Sequence, residues 1–196
     1  MAILFIKNVQ IAFPALAEPQ AIGDGEPAFG GRFVIDPKRT DVVKDLDAAM
    51  AAEAKAKWKE DGDAVLAMLV EEGKVAFEKK PYRSKKTGKV YAGFEGMYNL
   101  GARTPANKPR PTAFDEYGNE LTSKNEIEQK IYSGCEVTAK IEIWAQDNSY
   151  GRRINCSLLG VMYAGEGERF GGGSAPASAD DFGSFAKGKA DPEGLL

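Results

Sequence analysis

Apolar and polar positions alternate at both ends of the chain and follow a helical period between them. From Ile3 to Phe13 the odd positions read Ile3, Phe5, Lys7, Val9, Ile11 and Phe13, an apolar face at strand period that Pro14 should end. A second strand is predicted over 28–36, with Phe29, Phe33 and Ile35 on one face and Arg32 on the other, after the turn chemistry of Gly23 to Pro27. Asp36-Pro37 then signals a helix start. Val42, Val43, Leu46, Ala49, Met50 and Trp58 recur at three- and four-residue spacing, which predicts an amphipathic helix to about Lys59. Asp63 should cap a shorter helix stopped by Gly73.

Beyond the helices, 75–77 and 90–102 read as strand, and the prolines at 105, 109 and 111 make the following stretch irregular. The clearest sheet signal comes late. Cys135, Val137, Ala139, Ile141 and Ile143 alternate with polar residues and Trp144, and after a turn at 147–151 Ile154, Cys156 and Leu158 do the same, so the two segments form an antiparallel hairpin with one buried face. About five strands around a helical insertion predict a mainly β fold with inserted helices, and an OB-type antiparallel Greek-key barrel fits that count. At 196 residues there is room for one core, placed at 1–170. Residues 171–196, opening Gly171-Gly172-Gly173-Ser174, read as a flexible tail with an acidic-aromatic patch at Asp180, Asp181, Phe182 and Phe185.

Composition removes several functions. With no histidine, the serine and cysteine triads, histidine bases and most zinc sites are gone, and no phosphate-cradling glycine motif is present. A binding protein with no cofactor and no metal, rather than an enzyme, is expected. The two cysteines sit in alternating runs and read as reduced, half-buried thiols. The apolar opening residues are broken at once by Lys7 and Asn8, too short for a signal segment or a membrane span, which predicts an intracellular protein.

The net charge of -3 argues against a nucleic-acid partner until its distribution is considered. Between Lys74 and Arg110 ten basic residues stand against two acidic ones, leaving that segment at +8 and the rest of the chain at -11. Its centre interleaves cations with aromatic rings. A single strand presents a charged backbone and unstacked bases, so a binder needs both groups. The candidate DNA-binding residues are Lys79, Lys80, Tyr82, Arg83, Lys85, Lys86, Lys89, Tyr91, Phe94, Tyr98, Arg103 and Arg110, which form one wall of a groove, joined from the late hairpin by Trp144 as a stacking platform near Arg152 and Arg153. By strand parity Phe94 and Tyr98 should share a face that Tyr91 does not. The competing reading is a protein-interaction or virion-associated module whose basic stretch docks an acidic partner.

Several stretches together resemble a family of tailed-bacteriophage single-stranded DNA-binding proteins. They are Asn8-Val9 with Glu26-Pro27, the strand end from Phe33 to Pro37, Lys80-Pro81-Tyr82 before Gly93-Phe94, Tyr132-Ser133-Gly134-Cys135, and Asp180-Asp181-Phe182 in the tail. The resemblance implies an OB-fold that binds single strands with little sequence preference during phage replication or recombination, in the cytoplasm of the infected bacterium. It also implies an acidic tail that competes for the groove and docks replication partners. Here the tail departs from that pattern: Lys187 and Lys189 offset its acidic residues, and the chain ends in Leu195-Leu196.

Overall fold

The computed structural model describes residues 1–21 and 25–171. Three long strands carry the architecture: β1 (Ala2–Gln20), β6 (Glu136–Asn148) and β7 (Gly151–Gly165). With β2 (Ala28–Ile35), β3 (Phe77–Glu78), β4 (Tyr98–Pro105) and β5 (Thr112–Phe114) they form one sheet in the order β3-β4-β2-β1-β6-β7-β5. All neighbours are antiparallel except β5 and β7.

β1 serves two partners in turn, which bends the sheet into a roll. Residues from Ala2 to Gln10 pair with β6, and those from Gln10 to Gln20 pair with β2. Register breaks between Ile6 and Val9 and between Ala12 and Ala15 mark the bends, and Asn8 and Phe13 there take left-handed φ values of 51° and 52°. The strand therefore continues through Pro14 instead of ending at it. That proline sits in a bulge, where the ladder asks no N–H of it. The roll closes on the far side. The Ile154 N–H donates to the Lys74 carbonyl at 3.1 Å, Val75 bridges Ile154 in parallel, and the Thr104 hydroxyl donates to the Leu158 carbonyl at 2.6 Å.

Inside the roll lie the predicted apolar faces, including Ile11, Phe33, Ile35, Leu100, Ile141 and Leu158. Helix α1 (Thr40–Trp58) buries Val42, Leu46, Ala49, Met50 and Trp58 of the expected stripe together with Ala54, leaving Val43 half-buried, and α2 (Gly62–Glu71), which begins before Asp63 instead of being capped by it, buries Val65 and Leu69. Trp58 is a packing residue whose indole N–H donates to Asp147 at 2.7 Å, tying the helix end to the β6–β7 hairpin. α1 begins four residues later than Asp36, because Asp36 accepts from the Lys38 N–H and holds a turn first.

Three elements depart from the predicted pattern. The strand expected over 90–102 exists only from Tyr98, and the residues before it form a loop folded against the sheet, with a single bridge between Arg83 and Val90. β5 is three residues long among the prolines. Helix α3 (Lys124–Lys130) was readable from Ser123-x-x-Glu126, a capping box in which each side chain meets the other's backbone N–H, and it buries Ile127.

Cys135 and Cys156 are both buried and free, and burial pushes both thiols up. Cys156 pairs across the ladder with Ile143, eight residues along β6 from Cys135, so the two cannot bridge. Native protein at pH 8 should leave both thiols unlabelled by an aromatic disulfide reagent, with two equivalents reacting after urea unfolding. Rapid labelling of the folded chain would contradict this burial.

Candidate nucleic-acid interface

Strand parity builds the floor of the site. Phe33 points into the core, so Arg32 and Val34 point outward from β2. The register sets Arg32 against Gly101 and Val34 against Asn99 on β4, with Ala12 of β1 opposite Arg32. Gly101 leaves room here: a Cβ on it would stand 3.3 Å from the Arg32 guanidinium carbon, so the guanidinium would have to give by a few tenths of an ångström. The guanidinium lies over this bare backbone and is hydrogen-bonded to the side-chain oxygen of buried Asn99. The Asn99 amide donates in turn to the Lys80 carbonyl at 2.8 Å, anchoring the loop over 79–97 to the sheet.

That loop stacks its rings on the arginine. The Arg32 guanidinium carbon is 3.7 Å from the centre of the Tyr82 ring, and Tyr91 stacks on Tyr82 at 5.0 Å with 22° between planes. A guanidinium and a second ring at those distances would overlap if they shared one face, so they cover opposite faces of Tyr82. The result is a column: sheet backbone, guanidinium, Tyr82, Tyr91. Phe94 braces it from beneath, edge-on to Tyr82 at 5.7 Å and fully buried with Ala12 and Val34. Phe13 stands beside it with its ring 5.0 Å from Tyr91 and 73° from coplanar.

The last described residues complete the bracing. The N–H of Phe170 donates to the Ser133 carbonyl at 3.0 Å, and its ring occupies the space that a side chain on Gly93 would need. Gly93 has φ 85°, so glycine is required there twice over. Chain leading to the tail thus leaves beside the aromatic column.

The basic residues divide into those already paired and those open to solvent. Lys79 meets Asp47 at 2.6 Å, Lys80 meets Glu78 at 3.2 Å, Arg152 meets Asp147 at 3.2 Å, and Arg83 donates to the Gly88 carbonyl at 3.1 Å. Exposed pairs of this kind are worth about 0–1 kcal/mol, so a phosphate can displace them at small cost. Lys85, Lys86 and Lys89 are exposed at the loop tip and have no ion pair among the described residues; Arg103 is exposed on the outer face of β4, where it donates to the Glu26 carbonyl at 3.0 Å. Arg110 is half-buried beyond the end of that strand. The closure at Val75 and Ile154 brings the backbone at Arg153 beside Lys74.

Three expected placements change. Phe94 is 0% exposed and supports the rings without offering a face. It joins Tyr82 and Tyr91 in one cluster, whereas Tyr98 turns inward and meets Phe77 edge-on at 6.1 Å, packed against the main core. Residues 90–97 form a loop, so strand alternation does not set their faces. Trp144 is half-buried on the outer face of β6, its indole N–H on Ser157 at 3.0 Å. Its neighbour Ile143 pairs with Ala2, at the opposite end of β1 from Ala12, and Trp144 is not part of the ring cluster. Asp180, Asp181, Phe182 and Phe185 lie outside the described residues.

The family described as Enterobacter phage Enc34, ssDNA-binding protein, matches residues 2–195. The chain belongs to this Enc34 family. A putative protein, p50, of Acyrthosiphon pisum secondary endosymbiont phage 1 is 31% identical over 192 residues, 97% of each chain. Among solved structures, the single-stranded DNA-binding protein of bacteriophage Enc34 in complex with ssDNA is 28% identical with a TM-score of 0.69, covering 86% of this chain and 89% of that one. The bacteriophage T7 single-stranded DNA-binding protein gp2.5, at 14% identity and a TM-score of 0.54 over 100% of this chain and 98% of its own, shares the fold.

For this member of the Enc34 family, Arg32, Asn99, Phe13 and Phe170 join the candidate site only in the structure, where they pack in or beside the ring column. Arg32 carried a signal, since it is the one cation on the polar side of a strand whose other face is apolar. Asn99 and Phe170 carried none, because their roles depend on which backbone the loop folds against.

Proposed function

We infer that the protein binds single-stranded DNA with little sequence preference and serves phage DNA replication or recombination in the cytoplasm of the infected bacterial host. The observation that carries this is the Arg32–Tyr82–Tyr91 column, which sets aromatic surface beside the exposed Lys85, Lys86 and Lys89. Rings accept any base because every base has a π-face, and lysines accept the phosphates, so the pairing suits a strand irrespective of sequence. The strand is read as crossing the outer face of β2 and β4, over Tyr91 and past Arg103, with Arg83 and the lysine tip on one side and Lys74 and Arg153 on the other. Lys79, Lys80 and Arg152 exchange their carboxylate partners for phosphates, and Arg110 extends the same track. The tail residues Asp180, Asp181, Phe182 and Phe185 are read as a docking segment for replication or recombination proteins. This is a binding role without a catalytic step. Among the described residues no group of three or more carboxylate or thiol ligands is placed to hold a metal, and no helix is long and apolar enough to cross a membrane.

Titration of fluorescent oligonucleotides at several salt concentrations tests the reading. With about five phosphates neutralised, the log-log slope should be roughly -3.5, and homopolymers of different base should differ little. Affinity indifferent to salt, or no binding at low salt, would sink it.

A further inference from the structure

The column leaves one ring beside it unexplained. Phe13 is 46% exposed, although its neighbour Ala12 is buried, and its backbone takes a left-handed φ of 52° that a residue with a side chain adopts only under strain. The bulge between Ala12 and Ala15 turns it out of the strand's regular alternation, and its N–H donates to the Ser133 hydroxyl at 3.3 Å, which fixes the turn. A packing role does not require this, because the rings it touches already have Phe94 and Arg32 for support. Tyr82 has both faces covered and Phe94 is buried, whereas Phe13 is exposed and Tyr91, which it meets, is half-buried. Their planes stand at 73°.

We propose that Phe13 is a base-contacting wedge which, with Tyr91, breaks the stack between two successive bases of the bound strand. This rests on the single-strand reading above and adds a geometry to it. A base lying flat on Tyr91 and its neighbour lying flat on Phe13 take up the angle between the two rings, and bases at that angle cannot stack on each other. The strand therefore turns at this step, and the strain at Phe13 is retained because it aims the ring.

The test uses oligothymidylates carrying one adjacent pair of 2-aminopurines, whose exciton-coupled circular dichroism reports base-on-base stacking directly. With the full chain bound to a strand just long enough to fill its site, so that the register is fixed, the exciton signal should be lost when the pair occupies this step and kept at other positions. Phe13→Ala should bind about tenfold more weakly and keep the exciton signal at every position, whereas Phe13→Tyr should behave as the unaltered protein. Phe13→Gly separates this from a folding role: it relieves the left-handed backbone, so its melting temperature should hold or rise while binding falls as for alanine. If the unaltered protein binds but the pair stays stacked at all positions, or if the alanine and glycine variants bind like the unaltered protein, the wedge is wrong. Absence of any binding by the unaltered protein would overturn the single-strand reading itself, and the wedge with it.

Discussion

Arg32→Ala is expected to weaken oligonucleotide binding about a hundredfold while the protein remains folded. Three contributions converge on this side chain. It forms the base of the ring column, so its loss lets Tyr82 and Tyr91 drop from the position in which Tyr91 faces outward, and base stacking on an aromatic is worth roughly 1–3 kcal/mol. It also holds Asn99, whose amide in turn fixes the loop at Lys80, and a hydrogen bond to a charged group contributes about 1.5–3 kcal/mol. Finally, it places a cation at the centre of the face. These effects overlap, and a combined loss of about 2.8 kcal/mol corresponds to the hundredfold expected, at about 1.4 kcal/mol per factor of ten. Arg32→Lys should recover only part of it, because an ammonium has no plane to lay against Tyr82 and no fork for Asn99. Anisotropy titration at one fixed salt concentration, with a urea melt of the same preparation, checks both halves. Binding within threefold of the unaltered protein would remove the column from the site.

Phe33→Ala, one residue along the same strand, should do the opposite. Phe33 is wholly buried between the neighbouring strands and the opposite wall of the roll, so truncating it is expected to cost about 3–5 kcal/mol of stability. Against the roughly 5–15 kcal/mol that holds a typical domain, this should move the urea midpoint far down. The fraction that remains folded should bind with nearly unaltered affinity, since Phe33 faces away from the column. A midpoint shift smaller than that of Arg32→Ala would contradict the assignment of inner and outer faces on β2.

That contrast also explains what the sequence could disclose. Period-two alternation reports which side of a strand is buried, so the β6–β7 hairpin, the inner face of β2 and the helical stripe of α1 were all legible. Bends were not. Pro14 reads as a stop, and only the pairing of β1 with β6 and then β2 makes it a bulge inside one long strand. The aromatic residues were legible as a set but not as an arrangement. Alternation does not run through residues 90–97, because Phe94 owes its burial to a loop folded onto Ala12 and Val34. Long-range partners such as Arg32 with Tyr82, fifty residues away, are set by how that loop lands, which local periodicity does not encode. The distribution of charge proved more informative than its sum, because the basic segment supplies both the loop that carries the rings and the exposed lysine tip.

The most direct measurement is photo-cross-linking of the intact protein to an oligonucleotide that carries 5-iodouracil at successive positions, with adducts mapped by mass spectrometry. The account predicts adducts concentrated on Tyr91 and Phe13, none on Tyr82 with its covered faces, and none on Phe94 or Tyr98. Adducts confined to Trp144, with the peptides of the loop over 79–97 and of Phe13 unmodified, would take the strand off the Arg32–Tyr82–Tyr91 column and contradict it.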